Sequence, residues 1–294
     1  MNSLAGVYVP LVTPFHDGEV DLESLRGLVR HYRSTGVDGL VLLGTTGESP
    51  TIDAAEQRSL VAAALDAAEG ALPVYVGVGG NSTRHVAEAL AGWEGLDLAG
   101  YLVVTPYYNR PTVDGLLAHY REVAGRTERT VIVYNVPYRT GVNLPNDALF
   151  ELAATVPGIR AVKDATGNIT QSLDLLDRAP DDLAVLTGED HLYYTSLANG
   201  AAGGILASAH LATETFVEVY RRARTEEFGK ARELWRGISP LVPLLFAESN
   251  PLPLKYCLWR QGLLRSPECR LPLTRVSPGL AQRLDEVVAG LGAA

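Results

Sequence analysis

Long apolar runs, cysteines and basic clusters are all scarce in this sequence. No stretch approaches the roughly 18 unbroken apolar residues that a membrane-spanning helix needs, and no basic segment followed by an apolar run opens the chain. The net charge of −9 and the lack of a basic cluster argue against a nucleic-acid partner. The two cysteines, Cys257 and Cys269, have no metal-ligand or redox spacing and are expected to be free thiols. We therefore predict a cytoplasmic protein that binds neither membranes nor nucleic acid.

Motifs for metal or serine chemistry are also missing. The six histidines are scattered, and neither a His-Glu-x-x-His sequence nor a cluster of carboxylates occurs. No serine lies in a Gly-x-Ser-x-Gly elbow, and no Gly-x-Gly-x-x-Gly motif follows the first apolar run. We therefore expect no metal site.

The chain does contain a regular alternation of short apolar runs and longer amphipathic segments. The nearly continuous apolar character of the runs is typical of parallel strands that are covered on both faces. One run and one amphipathic segment repeat every 25–35 residues or so, roughly the length of a strand–helix unit. The eight runs are Val7–Val12, Gly39–Leu43, Val74–Val78, Tyr101–Val104, Val131–Tyr134, Ile159–Val162, Leu183–Leu186 and Gly204–Leu206.

Eight such units predict an α/β fold, a closed (β/α)8 TIM barrel rather than an open doubly wound sheet. Asp21, Asp53 and Asn168 are expected to cap helices at their N-termini. The predicted helical segments are Asp21–Ser34, Asp53–Glu69, Thr83–Trp93, Val113–Ala124, Pro145–Thr155 and Gln171–Arg178.

The alternation stops beyond about Arg224. We predict only helices in the remaining chain, near Glu226–Phe246, Leu252–Gln261 and Pro278–Leu291. The predicted organisation is a catalytic barrel over residues 1–224 and a C-terminal helical extension over residues 225–294 that packs on it.

Lys163 is the most informative residue, because it directly follows the buried run Ile159–Val162 in a chain that uses arginine for surface charge. Only three of the 25 lysines and arginines are lysines. Arginine keeps its proton near neutral pH, whereas a desolvated lysine can lose it. A neutral amine is the nucleophile that forms a Schiff base with a carbonyl substrate. The alternative interpretation is a lysine at a strand end with its ammonium in water.

Unusual residues also follow other predicted strands, where barrel enzymes build their active sites. The segment Gly44–Ser49 (GTTGES) could direct consecutive N–H groups at an anion, or be a plain strand-to-helix turn. Thr105–Pro111 (TPYYNRP) carries adjacent tyrosines, which are more often packing or interface residues than catalysts. Arg139 precedes a Thr-Gly turn, and could grip a carboxylate with two hydrogen bonds or form a surface ion pair.

Four motifs in sequence resemble those of one protein family. GTTGES, TPYYNRP, YNVPYRTG and VKDATGN are similar to the motifs of the dihydrodipicolinate synthase family, within the N-acetylneuraminate lyase superfamily of class I aldolases. The resemblance runs from Val7 to about Gly262. It implies a Schiff-base enzyme that condenses pyruvate with L-aspartate 4-semialdehyde without a cofactor. It also implies a homo-oligomer, with a tetramer built as a dimer of dimers expected.

The resemblance assigns a role to each motif residue. Lys163 would form the imine with pyruvate, whose carboxylate would lie at Thr45 and Thr46. Tyr134, Thr45 and Tyr108 would relay protons, with Tyr108 contributed across a subunit interface. These roles suit the chemistry, because forming an enamine from the imine requires protons to move at carbon, nitrogen and oxygen.

The remaining residues implied by the resemblance concern the second substrate and the walls of the pocket. Arg139 would bind the carboxylate of the aldehyde. Gly188 and Ile205 would line the pocket near the lysine. Asn250 begins a stretch, Asn250–Lys255, that resembles the family's C-terminal Asn-Pro segment.

Two residues depart from the family pattern and leave other functions open. Tyr138 stands where members commonly carry a small residue, and Glu189 stands where an aspartate is usual. One alternative is another pyruvate aldolase that cleaves a sialic acid or a 2-keto-3-deoxy sugar acid, although Arg139 favours an aldehyde with a carboxylate. The other is a catalytically silent paralogue that binds a keto acid, although the lysine and the hydroxyl relay are complete.

Overall fold

The computed structural model describes residues 4–291 and has ten strands. Eight of them are the barrel strands β1 (Gly6–Pro10), β4 (Gly39–Leu42), β5 (Val74–Val78), β6 (Gly100–Val104), β7 (Thr130–Asn135), β8 (Ile159–Asp164), β9 (Ala184–Thr187) and β10 (Gly203–Ile205). They close into a parallel barrel in the order β1, β10, β9, β8, β7, β6, β5, β4. The other two, β2 (Phe15–His16) and β3 (Glu19–Val20), form a small antiparallel pair. The predicted barrel and all eight predicted strands are confirmed.

Helices follow the strands along the chain. They are α1 (Leu22–Arg33), α2 (Ala54–Ala68), α3 (Thr83–Ala91), α4 (Val113–Ala124), α5 (Pro137–Thr140), α6 (Asn146–Thr155), α7 (Ile169–Arg178), α8 (Tyr193–Ala198), α9 (Thr213–Arg224), α10 (Phe228–Ile238), α11 (Leu241–Leu245), α12 (Leu252–Arg260) and α13 (Pro278–Leu291). Three short 3-10 helices also occur, at Ser49–Thr51, Asp190–Leu192 and Ala207–His210. None of the helices within residues 4–291 is long and apolar enough to cross a membrane.

The predicted N-caps are confirmed. The Asp21 side chain accepts hydrogen bonds from two backbone N–H groups at the start of α1. Asn168 does the same for α7. Asp53 and Glu56 form a reciprocal capping box on α2, which satisfies N–H groups that lack helical partners.

The predicted helical segment Glu226–Phe246 is divided in the structure. It contains two helices, α10 and α11, with Ser239 and Pro240 between them. Proline has no N–H group to donate to the preceding turn, which explains the division. The predicted boundary between residues 224 and 225 coincides with the end of α9, but the division into a barrel and an extension stays a prediction.

The described residues group into two compact units. One comprises residues 4–6 and 75–205 and contains β6 to β10 and nearly all of β5. The other comprises residues 7–74 and 206–291 and contains β4, most of β1 and the helices α9 to α13. The two groups of candidate site residues described below each belong to one of these units.

Candidate active site

Neighbouring strands place Tyr134 and Lys163 side by side. The two residues are register partners in the parallel pair β7–β8, so their side chains leave the sheet on the same face. Lys163 Nζ lies 4.3 Å from the centroid of the Tyr134 ring. Lys163 is 7% exposed and Tyr134 is 6% exposed. The structure therefore brings the predicted nucleophile and a predicted proton carrier together in a buried position.

Burial changes the acidity of the lysine. Desolvation lowers the pKa of Lys163 from its ordinary 10.5 to about 8. The negative charge of Asp190 opposes this lowering, and the positive charge of Arg139 adds to it. An amine with this pKa is neutral in roughly one molecule out of ten at pH 7, which is far more than an exposed lysine provides. The alternative of a strand-end lysine with its ammonium in water is wrong.

Gly188 leaves the space that the lysine side chain occupies. A Cβ atom at this position would lie 2.6 Å from Lys163 Cε and 2.8 Å from Lys163 Cγ. Gly188 follows β9, and its N–H donates to the Asp164 carbonyl at 2.6 Å. Any larger residue would displace the amine, so the glycine is required by the position of Lys163.

Two carboxylates, Asp190 and Glu189, act on the charge of Lys163, and a third, Asp164, acts on Glu189. Burial, together with the negative charges of Asp190 and Asp164, raises the pKa of Glu189 to about 7, although the positive charges of Lys163 and Arg139 act in the opposite direction. Asp190 is buried, and Asp164 accepts hydrogen bonds from the Ser172 hydroxyl at 2.5 Å and the Thr166 N–H at 3.1 Å. Near neutral pH, Glu189 therefore exists in both protonation states.

Sequence reasoning noted Glu189 but singled out neither Asp164 nor Asp190. Each of them is adjacent in sequence to a residue that was singled out, since Asp164 follows Lys163 and Asp190 follows Glu189. Asp164 ends β8 and Asp190 lies three residues after β9, and such positions at the carboxyl ends of barrel strands indicate active-site residues.

Arg139 lies on the short helix α5 and is exposed. Its Nε donates to Tyr138 Oη at 3.3 Å, and its guanidinium carbon lies 5.3 Å from the centroid of the Tyr138 ring. Among residues 4–291, no carboxylate forms an ion pair with Arg139, so the predicted alternative of a surface ion pair finds no partner. The Arg139 guanidinium thus lies against the Tyr138 ring, and most of the N–H donors of the guanidinium remain available.

Tyr108 is not part of the buried Lys163–Tyr134 pair. It is 88% exposed and has a backbone φ of +72°. The loop around it is held by Asn109 Nδ2, which donates to the Asn81 carbonyl at 2.9 Å, and by Arg110 Nε, which donates to the Gly141 carbonyl at 2.8 Å. A well-anchored loop therefore presents an almost fully exposed tyrosine.

The Gly44–Ser49 loop has a backbone suited to binding an anion. The N–H groups of Gly47 and Glu48 donate within the loop, to the carbonyls of Gly44 and Thr45. Within residues 4–291, the N–H groups of Thr45 and Thr46 have no such acceptor. Adjacent backbone N–H groups of this kind commonly bind an anion in a turn.

Thr46 is the buried member of the threonine pair. It is 3% exposed, and its Oγ1 accepts a hydrogen bond from Asn250 Nδ2 at 2.9 Å. Thr45 is partly exposed. Asn250 thus contacts the loop through Thr46. Ile205 is fully buried at the end of β10.

Comparisons with known proteins identify the family of the chain. The model of the dihydrodipicolinate synthetase family matches residues 3–290. The 4-hydroxy-tetrahydrodipicolinate synthase 2 of Clostridium acetobutylicum is 42% identical over 283 residues, which cover 96% of this chain and 99% of that protein. The 4-hydroxy-tetrahydrodipicolinate synthase of Thermotoga maritima is 39% identical over 290 residues, with 98% of each chain covered.

Solved structures give the same result. The crystal structure of dihydrodipicolinate synthase from Thermotoga maritima has a TM-score of 0.96 and 38% identity, and the match covers 99% of both chains. The chloride-inhibited dihydrodipicolinate synthase of Acinetobacter baumannii, solved in complex with pyruvate, has a TM-score of 0.95 and 36% identity, with 99% of this chain and 100% of that chain covered. Sequence and fold match along nearly the whole length, and the chain belongs to the dihydrodipicolinate synthetase family.

Proposed function

We propose that this chain is a class I aldolase-type synthase that condenses pyruvate with L-aspartate 4-semialdehyde to 4-hydroxy-tetrahydrodipicolinate, a step of lysine and diaminopimelate biosynthesis. The observation that carries the proposal is the buried Lys163 amine, with a pKa of about 8, beside the Tyr134 ring. The names of the curated relatives support the same reaction.

The first half of the reaction is imine formation at Lys163. The neutral Nζ attacks the ketone carbon of pyruvate, and the carbonyl oxygen leaves as water after it has accepted protons. The resulting cationic imine withdraws electrons from the neighbouring methyl group, which can then lose a proton to give an enamine. The enamine carbon attacks the aldehyde carbon of the second substrate and forms the new carbon–carbon bond.

Hydroxyl groups carry the protons in this scheme. We assign the relay to Tyr134, Thr45 and Tyr108, with Tyr108 supplied by a second copy of the chain. Positioned proton transfer contributes typically 100- to 10,000-fold to a rate, on the order of several kcal/mol of barrier. The exposure of Tyr108 supports its assignment to a neighbouring subunit. The proposal therefore includes a homo-oligomer. We propose a tetramer built as a dimer of dimers, located in the cytoplasm.

Two separate groups bind the substrate carboxylates in this proposal. Thr45 and Thr46 receive the pyruvate carboxylate through their available backbone N–H groups. Arg139 receives the carboxylate of the aldehyde, since its guanidinium has no carboxylate partner among residues 4–291. Gly188, Ile205 and Asn250 complete the pocket in this assignment.

The proposal is tested by assaying the purified chain with pyruvate and three aldehydes in parallel: L-aspartate 4-semialdehyde, N-acetylmannosamine and a sugar-derived aldehyde. We expect turnover with the first. Arg139→Ala should retain imine formation with pyruvate and lose condensation, because each charge-assisted hydrogen bond contributes about 1.5–3 kcal/mol. Preferred turnover of either sugar aldehyde would contradict the proposal, as would equal losses of imine formation and condensation in Arg139→Ala.

A further inference from the structure

One residue of the Gly44–Ser49 loop, Glu48, forms an ion pair with Lys255 of α12 that is almost completely removed from solvent. Lys255 Nζ lies 2.8 Å from Glu48 Oε1, and the two side chains are 0% and 1% exposed. Glu48 has a left-handed backbone with a φ of +54°, which is uncommon for a residue other than glycine. Both partners belong to the same compact unit, although 207 positions separate them in sequence.

Two further residues, Arg270 and Phe15, contact this pair. The second carboxylate oxygen, Glu48 Oε2, accepts a hydrogen bond from the Arg270 N–H at 3.0 Å. The centroid of the Phe15 ring lies 4.3 Å from Lys255 Nζ and 4.5 Å from the guanidinium carbon of Arg270, so the ring contacts both cations. Arg270 in turn pairs with Glu56 at 2.5 Å. Each oxygen of the buried Glu48 carboxylate thus has a partner.

Stability alone is a weak reason to keep such a pair. Replacement of a buried ion pair by apolar residues of similar volume is often neutral or stabilising, because desolvation of the two charges offsets their attraction. Unlike an apolar contact, a hydrogen-bonded ion pair is directional, so it fixes the position of one side chain relative to the other. Here the fixed point is Glu48, three residues after Thr45 and two after Thr46.

A second bond from the same C-terminal segment reaches the same loop. Asn250, five residues before Lys255, donates to Thr46 Oγ1 at 2.9 Å. The segment Asn250–Lys255 therefore holds the loop at two points, one on each side of Gly47. Gly47 itself is tightly placed, since its carbonyl accepts a hydrogen bond from Thr13 Oγ1 at 2.7 Å.

We propose that Glu48 and Lys255 are positioning residues for the keto-acid carboxylate. Their ion pair holds the Gly44–Ser49 loop in the one conformation that leaves the N–H groups of Thr45 and Thr46 available to the substrate. The inference rests on the proposed function, because it takes those two threonines as the carboxylate-binding group.

The test measures pyruvate binding separately from condensation. Imine is trapped with borohydride over a range of pyruvate concentrations, and the modified fraction is read by mass spectrometry without any aldehyde. For Glu48→Gln we expect the pyruvate concentration for half-maximal trapping to rise about tenfold or more, with trapping at saturating pyruvate within about threefold of the unmodified chain. The double variant Glu48→Gln/Lys255→Met removes both charges at similar volume and should show the same change.

Lys230→Met serves as the matched control. Lys230 also pairs with a glutamate, Glu227 at 2.6 Å, but its side chain is 63% exposed and lies on α10. This control should leave the pyruvate dependence unchanged.

Three results would overturn the inference. Folded variants with an unchanged pyruvate dependence would show that the pair does not position the loop. A double variant that fails to fold would show that the pair serves the fold instead of substrate binding. An unmodified chain that traps no pyruvate would overturn the proposed function and this inference with it, whereas normal trapping by all the variants would overturn the inference alone.

Discussion

Two of the three lysines in this protein are buried, and their surroundings differ in one decisive respect. Lys255 is 0% exposed and lies 2.8 Å from a carboxylate oxygen of Glu48. Lys163 is 7% exposed, and among residues 4–291 no carboxylate forms an ion pair with it. Each lysine also lies 4.3 Å from the centroid of an aromatic ring, Phe15 or Tyr134.

The comparison shows that burial alone does not make a nucleophile. A buried ammonium is costly unless a direct counter-ion compensates it. For Lys255 the carboxylate of Glu48 supplies that compensation at 2.8 Å. For Lys163 the nearest acidic groups act only at longer range, so desolvation prevails and the pKa falls to about 8. The missing counter-ion is what leaves an amine able to react.

The largest expected effect comes from removal of the reactive amine. Lys163→Met should abolish imine formation and reduce condensation by at least about 10,000-fold, because no other group can supply the covalent intermediate. Borohydride with pyruvate should place a three-carbon adduct on Lys163 of the unmodified chain and none on Lys255. An adduct on Lys255 would contradict this assignment, since it would show that the ion-paired lysine is the nucleophile.

Removal of the ion-paired lysine should have its main effect on stability. Lys255→Met leaves the Glu48 carboxylate buried without its partner and should lower the free energy of unfolding by about 3–5 kcal/mol. Urea-induced unfolding measures this loss. The double variant with Glu48→Gln should recover much of it, and a double variant as unstable as Lys255→Met would contradict the explanation.

Gly188→Ala should move the reactive amine of Lys163 without changing its charge. A Cβ atom 2.6 Å from Lys163 Cε forces the side chain aside, and a displacement of about 1 Å can cost on the order of 100-fold in rate. The rate of imine trapping checks this expectation. Gly229→Ala is the matched control, because a Cβ at this helical position has no neighbour within 4 Å. Equal rates for both variants would show that Gly188 does not set the position of Lys163.

The smallest expected effect is on the pH dependence of imine formation at Lys163. Because the amine must be neutral, the rate of imine formation should rise about tenfold per pH unit below pH 8 and level off above it. A profile that continues to rise to pH 10 would indicate an ordinary lysine.

The same shift predicts a stability change of defined sign. Between pH 8 and 10.5 the unfolded chain binds more protons at Lys163 than the folded chain does, so stability should rise with pH in this window. Lys163→Met should therefore be more stable than the unmodified chain by up to about 3 kcal/mol at pH 7, and this advantage should disappear above pH 10.5. Urea unfolding of both proteins at several pH values measures the difference.

Much of the fold could be predicted because its strands are short, nearly continuous apolar runs that alternate regularly with amphipathic segments. The contact between Tyr134 and Lys163 also follows from topology, since both residues end neighbouring strands. The β2–β3 pair could not be predicted, because strands of two residues have no measurable period. The helix α5 is likewise too short, at four residues, for its apolar pattern to indicate a helix.

The site was less accessible to sequence reasoning than the fold. The ion pair of Glu48 and Lys255 joins residues 207 positions apart, and no local pattern connects them. The role of Gly188 as space for a lysine side chain depends on a distance, which composition cannot supply. The role of Tyr108 requires a second copy of the chain and stays a prediction.

The complete burial of Lys255 also offers a way to observe ligand occupancy. Amine-directed acylating reagents should not reach a side chain with no exposed surface, so the lysines that can be labelled in the folded protein are Lys163 and the largely exposed Lys230. A keto acid bound as an imine would protect the first and leave the second as an internal standard. The ratio of the two labels in a peptide digest should therefore report which carbonyl compounds occupy the site, even in a crude mixture and without any turnover assay.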